Sequence, residues 1–275
     1  MASERAGIVI GPEGEGGSLR LREIWEFREL LFFLSWRDIK VRYRQTVLGV
    51  LWAVVQPVTQ MLLFSVFFGR LGGMPTDGTP YPLLAYAALV PWNFFASAVT
   101  QAGNSLATNA QLLTKVYFPR AMLPGAAVLT ALVDLGASTL ALVPLLVYYG
   151  VAPTWRLVLL PPLIAVTALL AFGVGAWMAV LSTRFRDLRH VFPFVVQIWL
   201  FATPVIYPAE IVPERLRWLL VANPVTGIVE GFRFALLARP VEPLHLCGSA
   251  LAALLLGFTA LRAISRLEQQ LADVI

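Results

Sequence analysis

"RLREIWEFRELLFFLSWRDIKVRYRQTVLGVLWAVVQP" spans Arg20–Pro57. From Arg20 to Arg44 it is dense in charge and in aromatic rings. From Gln45 to Gly69 it holds no Asp, Glu, Lys or Arg. A charged stretch that passes without a linker into a run of about 20 uncharged residues marks the boundary between water and a bilayer. On a helical wheel Leu21, Trp25, Phe32, Trp36, Ile39 and Tyr43 form one stripe. Arg22, Glu26, Glu29, Arg37, Lys40 and Arg44 lie on the flank beside it, with Arg28 and Phe33 as exceptions on the opposite sides. Such a helix is expected to lie at the membrane surface, rings dipped inward and cations at the headgroups, over residues 19–45.

The same reading extends along the chain. Of its 275 residues, 58% are hydrophobic and 13% charged, about half the charge of an average soluble domain. Further uncharged stretches run from Gly78 to Thr114, Leu135 to Trp155, Leu157 to Thr183, His190 to Ala209 and Pro243 to Leu261. Six membrane helices are predicted, near 47–69, 82–103, 121–149, 157–183, 191–207 and 244–262. The third is long for one span and contains Pro144, which predicts a tilt or a kink. Six spans place both termini on one side. That side collects 15 of the 21 Lys and Arg residues: those of the first 45 residues, Lys115, Arg120, Arg184, Arg186, Arg189, Arg262 and Arg266. By the positive-inside rule both termini are expected in the cytoplasm.

The expected fold is therefore an all-α polytopic membrane protein. Residues 1–18, rich in Gly and Glu, form a disordered lead without the apolar core of a signal peptide. Residues 46–265 form the six-helix domain and 266–275 a cytoplasmic tail. The segment 208–240 is too charged to span and too apolar to be a plain loop. It reads as two amphipathic helices broken at Asn223-Pro224, a re-entrant hairpin on the far side of the membrane between spans five and six. A mutual ion pair is the plainer reading of Glu230 and Arg233, three residues apart within it.

Several chemistries are excluded. The single Cys247 forms no intrachain disulfide, and the lone His190 and His245 offer no metal site. No G-x-x-x-x-G-K-[ST] phosphate loop occurs; the Gly-rich run Gly11–Gly17 lacks its lysine. The chain is not expected to be an enzyme. Asp134 is the only acid deep in a span. A proton-coupled carrier would use such a group. With no basic residue near it in sequence, the structural reading is preferred: a protonated group, or one bonded to Ser138 a turn on.

Six stretches carry a resemblance: "VRYRQTVLGVLWAVVQPVTQ" (Val41–Gln60), "LVPWNFFASAV" (Leu89–Val99), "LLTKVYFPR" (Leu112–Arg120), "STRFRDLRHV" (Ser182–Val191), "QIWLFATPVIYP" (Gln197–Pro208) and "ANPVTGIVEGFR" (Ala222–Arg233). In this order and spacing the chain, from about residue 20 to its end, resembles the membrane subunit of type-2 ABC exporters of polysaccharides such as O-antigen or teichoic acid. The resemblance implies a homodimer in the bacterial inner membrane, paired with two separate ATP-binding subunits that hold ATP and Mg. It implies a tunnel for an undecaprenyl-linked polysaccharide, and no nucleic-acid partner. The stretch 104–118 would hold the coupling helix that touches the ATPase, with Leu112, Leu113, Lys115, Val116 and Tyr117 as contact residues. The "RFRDLRH" loop would be a second cytoplasmic contact, where Arg184, Arg186 and Asp187 are candidates to pair among themselves. The hairpin, with Asn223, Pro224, Glu230 and Arg233, would be the extracytoplasmic gate. Trp25, Phe32, Trp36, Arg37 and Tyr43 would mark the interfacial helix.

A path for a long glycan needs aromatic platforms and few charges, so that no sugar unit is held tightly. Trp52, Gln56 and Gln60 share one helical face. With Trp92, Phe94, Phe95, Gln197, Phe201 and Tyr207 they are the candidate tunnel lining. Belts of aromatics at span ends and packed Phe residues are the plainer reading of any single ring. The alternative functions are a type-2 permease for a small drug or lipid, a secondary carrier, which should show matching halves, and a polytopic transferase, which would need clustered acids or histidines.

Overall fold

The computed structural model describes residues 21–44, 49–76 and 78–272, without the side chains of 21, 22 and 269–272. The lead over 1–18 and the side chains of Leu21 and Arg22 lie outside the described residues. Among those residues all regular structure is helical. Helices α1 (Leu21–Glu26) and α2 (Arg28–Arg44) precede the apolar domain. The domain comprises α3 (Trp52–Phe64), α4 (Tyr81–Thr108), α5 (Ala110–Leu113), α6 (Met122–Tyr148), α7 (Leu160–Arg184), α8 (Leu188–Ala202), α9 (Arg217–Ala222), α10 (Thr226–Leu237) and α11 (Pro243–Ala272).

Among the described residues five helical stretches are long and apolar enough to cross a membrane: Gly49–Leu71, Tyr81–Thr108, Met122–Tyr148, Trp155–Arg184 and Pro243–Glu268; the bent pair Glu214–Ala222 and Thr226–Leu237 would be a sixth if it crossed as one. The first joins α3 to a π-helical turn, Ser65–Leu71. The third runs unbroken through Pro144 and ends at Tyr148, two residues before Gly150, whose positive φ of 68° suits a residue without Cβ. The fifth predicted span differs. Its helix α8 covers 15 residues, about 22 Å at 1.5 Å per residue, against a hydrocarbon core of about 30 Å. It starts before the predicted boundary and ends at Ala202, because Pro204 and Pro208 prevent further helical turns. The tail is helical well past 266, as an extension of α11.

The chain is organised around α4. Its side chains from Leu83 to Val90 are 0–1% exposed, and it packs against α3, α6, α7, α8 and α10. A helix that is apolar all round belongs in the middle of a bundle. Small residues bring its neighbours close. A Cβ on Gly175 would stand 2.5 Å from that of Ala102 in α4, and one on Gly173 would stand 2.7 Å from the backbone nitrogen of Gly257 in α11. Membrane helices associate in this way, since no solvent drives their apolar faces together.

Helix α2 climbs alongside α6. Leu31 lies under Gly125, Thr130 bonds toward the Ser35 carbonyl, and Arg42 reaches Asp134. Leu34 and Ser35 are buried in this contact. Trp25, Phe32 and Trp36 of the predicted stripe face outward, and they are 49–71% exposed. Arg28 sits over the Trp25 ring and Lys40 over the Trp36 ring.

Candidate functional site

Three regions carry the functional candidates. The first is the end of the bundle where α4 finishes. Asn109 breaks the helix, and the short α5 follows before the chain turns into α6. Leu112 and Leu113 are half-buried against the cluster of Leu34, Leu106, Phe118 and Met122. Lys115, Val116 and Tyr117 are exposed. The five predicted contact residues thus divide into two that seat the turn and three that point away from it. The turn is also tied to the amino-terminal helices. Arg37 donates to the side-chain oxygen of Asn109 at 2.9 Å, and the Tyr117 hydroxyl donates to Glu23 at 3.0 Å. In the loop before α8, Arg184, Arg186 and Asp187 are exposed and do not pair with one another, contrary to that expectation.

The second region is the middle of α6. Asp134 is not the isolated carboxylate its sequence neighbourhood suggests. Arg42 lies 2.6 Å from its Oδ2, and the Tyr43 hydroxyl donates to Oδ1. Arg42 also donates to Gln101, whose amide bonds Ser97 on the same helix, α4. Ser138, the expected partner, donates instead to the carbonyl of Ala53 at 2.8 Å. Burial, and then the neighbouring carboxylate, push the Tyr43 phenol up to about 12, so it remains a donor at neutral pH. This network fastens α2 to two spans. Without Arg42, a partly buried charge would remain unpaired.

The third region is the other end of α4, about 40 Å away along a 28-residue helix. Here α9 and α10 meet at a 92° bend. Asn223 holds the bend. It accepts from the Trp199 indole at 3.0 Å and from the backbone of Val225, and its amide donates to Thr203. The Asn-Pro break is therefore where the sequence places it, pinned to the end of α8. Glu230 and Arg233 do not pair with each other. Glu230 accepts from His245 Nδ1 at 2.8 Å, and Arg233 donates to the carbonyls of Leu84, Val205 and Tyr207. The i, i+3 rule describes the surface of an exposed helix, whereas both residues are buried between α10 and its neighbours. Sequence reasoning missed His245. Its only signal was a histidine one turn inside an apolar helix.

The candidate tunnel residues separate in the same way. Trp92, Phe94 and Phe95 are 0–3% exposed inside the protomer, and Phe95 packs edge-on against Trp199. Gln60 accepts from Asn93 at 2.9 Å. The Tyr207 hydroxyl donates to the carbonyl of Phe201. Trp52, Gln56, Gln197 and Phe201 face outward from the bundle. Between α8, α9 and the turns at 209–216 runs an apolar groove of about 610 Å³.

Comparison with known proteins adds to this geometry. The family described as ABC-2 type transporter matches residues 29–237. The O-antigen export system permease protein RfbA of Myxococcus xanthus is 32% identical over 215 residues, which cover 78% of this chain and 82% of that protein. The permease of the same name from Klebsiella pneumoniae is 29% identical, over 74% of this chain and 79% of its own length. The polysialic acid transport protein KpsM of Escherichia coli is 22% identical, over 73% and 78%.

Proposed function

The chain belongs to the ABC-2 type transporter family, and on that premise we propose that it is the membrane permease of an ATP-driven exporter that moves a lipid-linked polysaccharide out of the bacterial cytoplasm. The observation that carries this reading is the likeness to O-antigen export permeases along about four-fifths of their length. The substrate is an O-antigen or teichoic-acid type of glycan on an undecaprenyl carrier. The permease works as a homodimer in the inner membrane, with both termini cytoplasmic. Two ATP-binding subunits hold ATP and Mg, and this chain performs no covalent chemistry.

The geometry supports a division of labour. The exposed Lys115, Val116 and Tyr117 offer a protruding contact to the ATP-binding subunit. Closure of that subunit on ATP pushes α5. The push reaches α4 through Asn109, α2 through the Arg37–Asn109 bond and α1 through the Tyr117–Glu23 bond. Helix α2, fixed to α6 by Arg42 and Asp134, moves with the spans. The outward indoles, Trp25 on α1 and Trp36 on α2, and the nearby cations suit an interfacial segment at the tunnel entrance. Amides are costly against lipid. The outward Gln56 and Gln197 therefore suit a surface turned to a second copy and a water-filled path, with Trp52 and Phe201 as platforms. The bent α9–α10 pair is re-entrant and forms the gate, held shut by Asn223.

The test is an ATPase assay in lipid nanodiscs, with the chain alone and with candidate ATP-binding subunits from the same organism. The reading predicts a stable complex that turns over ATP, and uncoupling by Val116→Glu in a normally folded permease. If the chain joins no ATP-binding protein, the exporter reading is wrong.

A further inference from the structure

At the end of the bundle remote from α5, a cavity of about 400 Å³ lies between the start of α4, α9, α10 and the start of α11. Its back wall is fixed. Glu230 and His245 hold each other at 2.8 Å with side chains 9% and 10% exposed, and the Arg233 guanidinium is occupied by three carbonyls. The cavity mouth is different. Arg239, which donates to the carbonyl of Thr76, also approaches Glu210 at 3.9 Å. Arg217 and Glu242 line the cavity and are exposed. Among the described residues neither has an ion pair or a side-chain hydrogen bond. The His245 Nδ1 faces Glu230, which leaves Nε2 without a partner among the described residues.

Donors and acceptors are therefore interleaved around the cavity. An anion drawn to Arg217 would meet the carboxylates of Glu210 and Glu242. A cation drawn to those carboxylates would meet two guanidinium groups. Among the described residues no three His, Cys, Asp or Glu side chains are grouped to hold a metal. A neutral polyol satisfies both sets: hydroxyls donate to carboxylates and accept from guanidinium groups. The apolar floor, which includes Leu84 and Leu220, suits the C–H face of a sugar ring. The volume falls within the range of small-ligand pockets and holds about one or two rings.

We propose that this cavity is a binding subsite for one or two neutral, hydroxyl-rich sugar units, held between the Arg217 guanidinium and the carboxylates of Glu210 and Glu242 that line it with Arg217. The source of those units, a glycan leaving the transport path, rests on the exporter reading. The binding chemistry does not. Weak binding is what such a place needs, because a chain in transit must be released.

The experiment is saturation-transfer NMR on the permease with its ATP-binding subunit in nanodiscs. The probes are a panel of neutral di- and trisaccharides of glucose, galactose, mannose, rhamnose and N-acetylglucosamine, with 3′-sialyllactose as the anionic counterpart. Arg217→Ala and Glu242→Ala are compared with the wild type, after a check that each elutes as a folded complex. At least one neutral sugar is expected to bind, about tenfold more weakly in either variant, as loss of a charged hydrogen-bond partner implies. Absence of binding by the whole panel overturns the proposal, as does equal binding in the variants. Preferential binding of sialyllactose that Arg217→Ala alone abolishes also overturns it, in favour of an anion site. ATP turnover is recorded in the same samples. A complex that hydrolyses ATP but binds no sugar condemns the cavity and leaves the exporter reading intact.

Discussion

Helix α4 and the first span are nearly equal in composition and opposite in surroundings. Both are apolar enough to cross a membrane, yet α4 is mostly buried inside the protomer and the Gly49–Leu71 stretch is mostly exposed. Hydropathy identifies the solvent a helix prefers, and lipid and protein interior answer equally well. What separates the two helices is the distribution of small and polar residues. Helix α4 meets Gly175 of α7 at Val99 and Ala102, and its buried face is made of rings and alanines. The first span carries Trp52, Gln56, Leu62, Leu63, Val66 and Phe67 outward. The central helix holds the fold, and the outer one has a face left for something else.

That contrast can be broken at its tightest point. A Cβ on Gly227 in α10 would lie 2.2 Å from the backbone oxygen of His245 in α11, and backbone cannot step aside as a side-chain tip can. Gly227→Ala is expected to cost about 3 kcal/mol or more and to abolish monodisperse protein in size-exclusion chromatography. A variant as thermostable as the wild type would show that α10 and α11 are not packed this closely.

The next effect is smaller. Asp134→Ala leaves Arg42 half-buried without its carboxylate, and a loss of about 2 kcal/mol is expected in thermal unfolding. Arg42→Ala and Asp134→Ala together should cost less than the sum of the two, because they share one interaction. Strict additivity would mean that the pair is not formed. On the outer faces the prediction reverses. Gln56→Leu and Gln197→Leu should change stability by no more than about 0.5 kcal/mol and still lower export. A large stability loss would place these amides inside the protomer's own packing. Smallest of all is Trp36→Ala. It should leave unfolding unchanged and show only as weaker quenching of the remaining amino-terminal tryptophan by brominated lipid.

Much of this was legible in the sequence. Uncharged stretches located the five membrane-length helices and the shorter α8, Asn223-Pro224 located the bend, and the polar connection after α4 located the turn at 110–117. The illegible parts share a cause: they join residues far apart in the chain. Asp134 looked unpaired because its partner Arg42 lies 92 residues earlier. Local spacing matches Glu230 to Arg233 on the same helix, while its actual partner His245 arrives on the next one. Aromatic rings were the weakest guide, since Trp92, Phe94 and Phe95 have the chemistry of a sugar platform and the burial of a core. The predicted hairpin pairing and the Asp134–Ser138 bond both failed because local spacing rules describe isolated helices, and these helices are packed on several sides.

The most direct test of the exporter account is a transport measurement. The permease and its ATP-binding subunit are reconstituted in proteoliposomes with an undecaprenyl-linked glycan on the outer surface, where the ATP site also faces out. A lectin or glycosidase then reports how much glycan remains accessible. The account predicts that ATP, and not a non-hydrolysable analogue, moves the glycan to the protected side, and that Val116→Glu stops this without dissolving the membrane complex. Glycan that stays fully accessible while the complex hydrolyses ATP would contradict it.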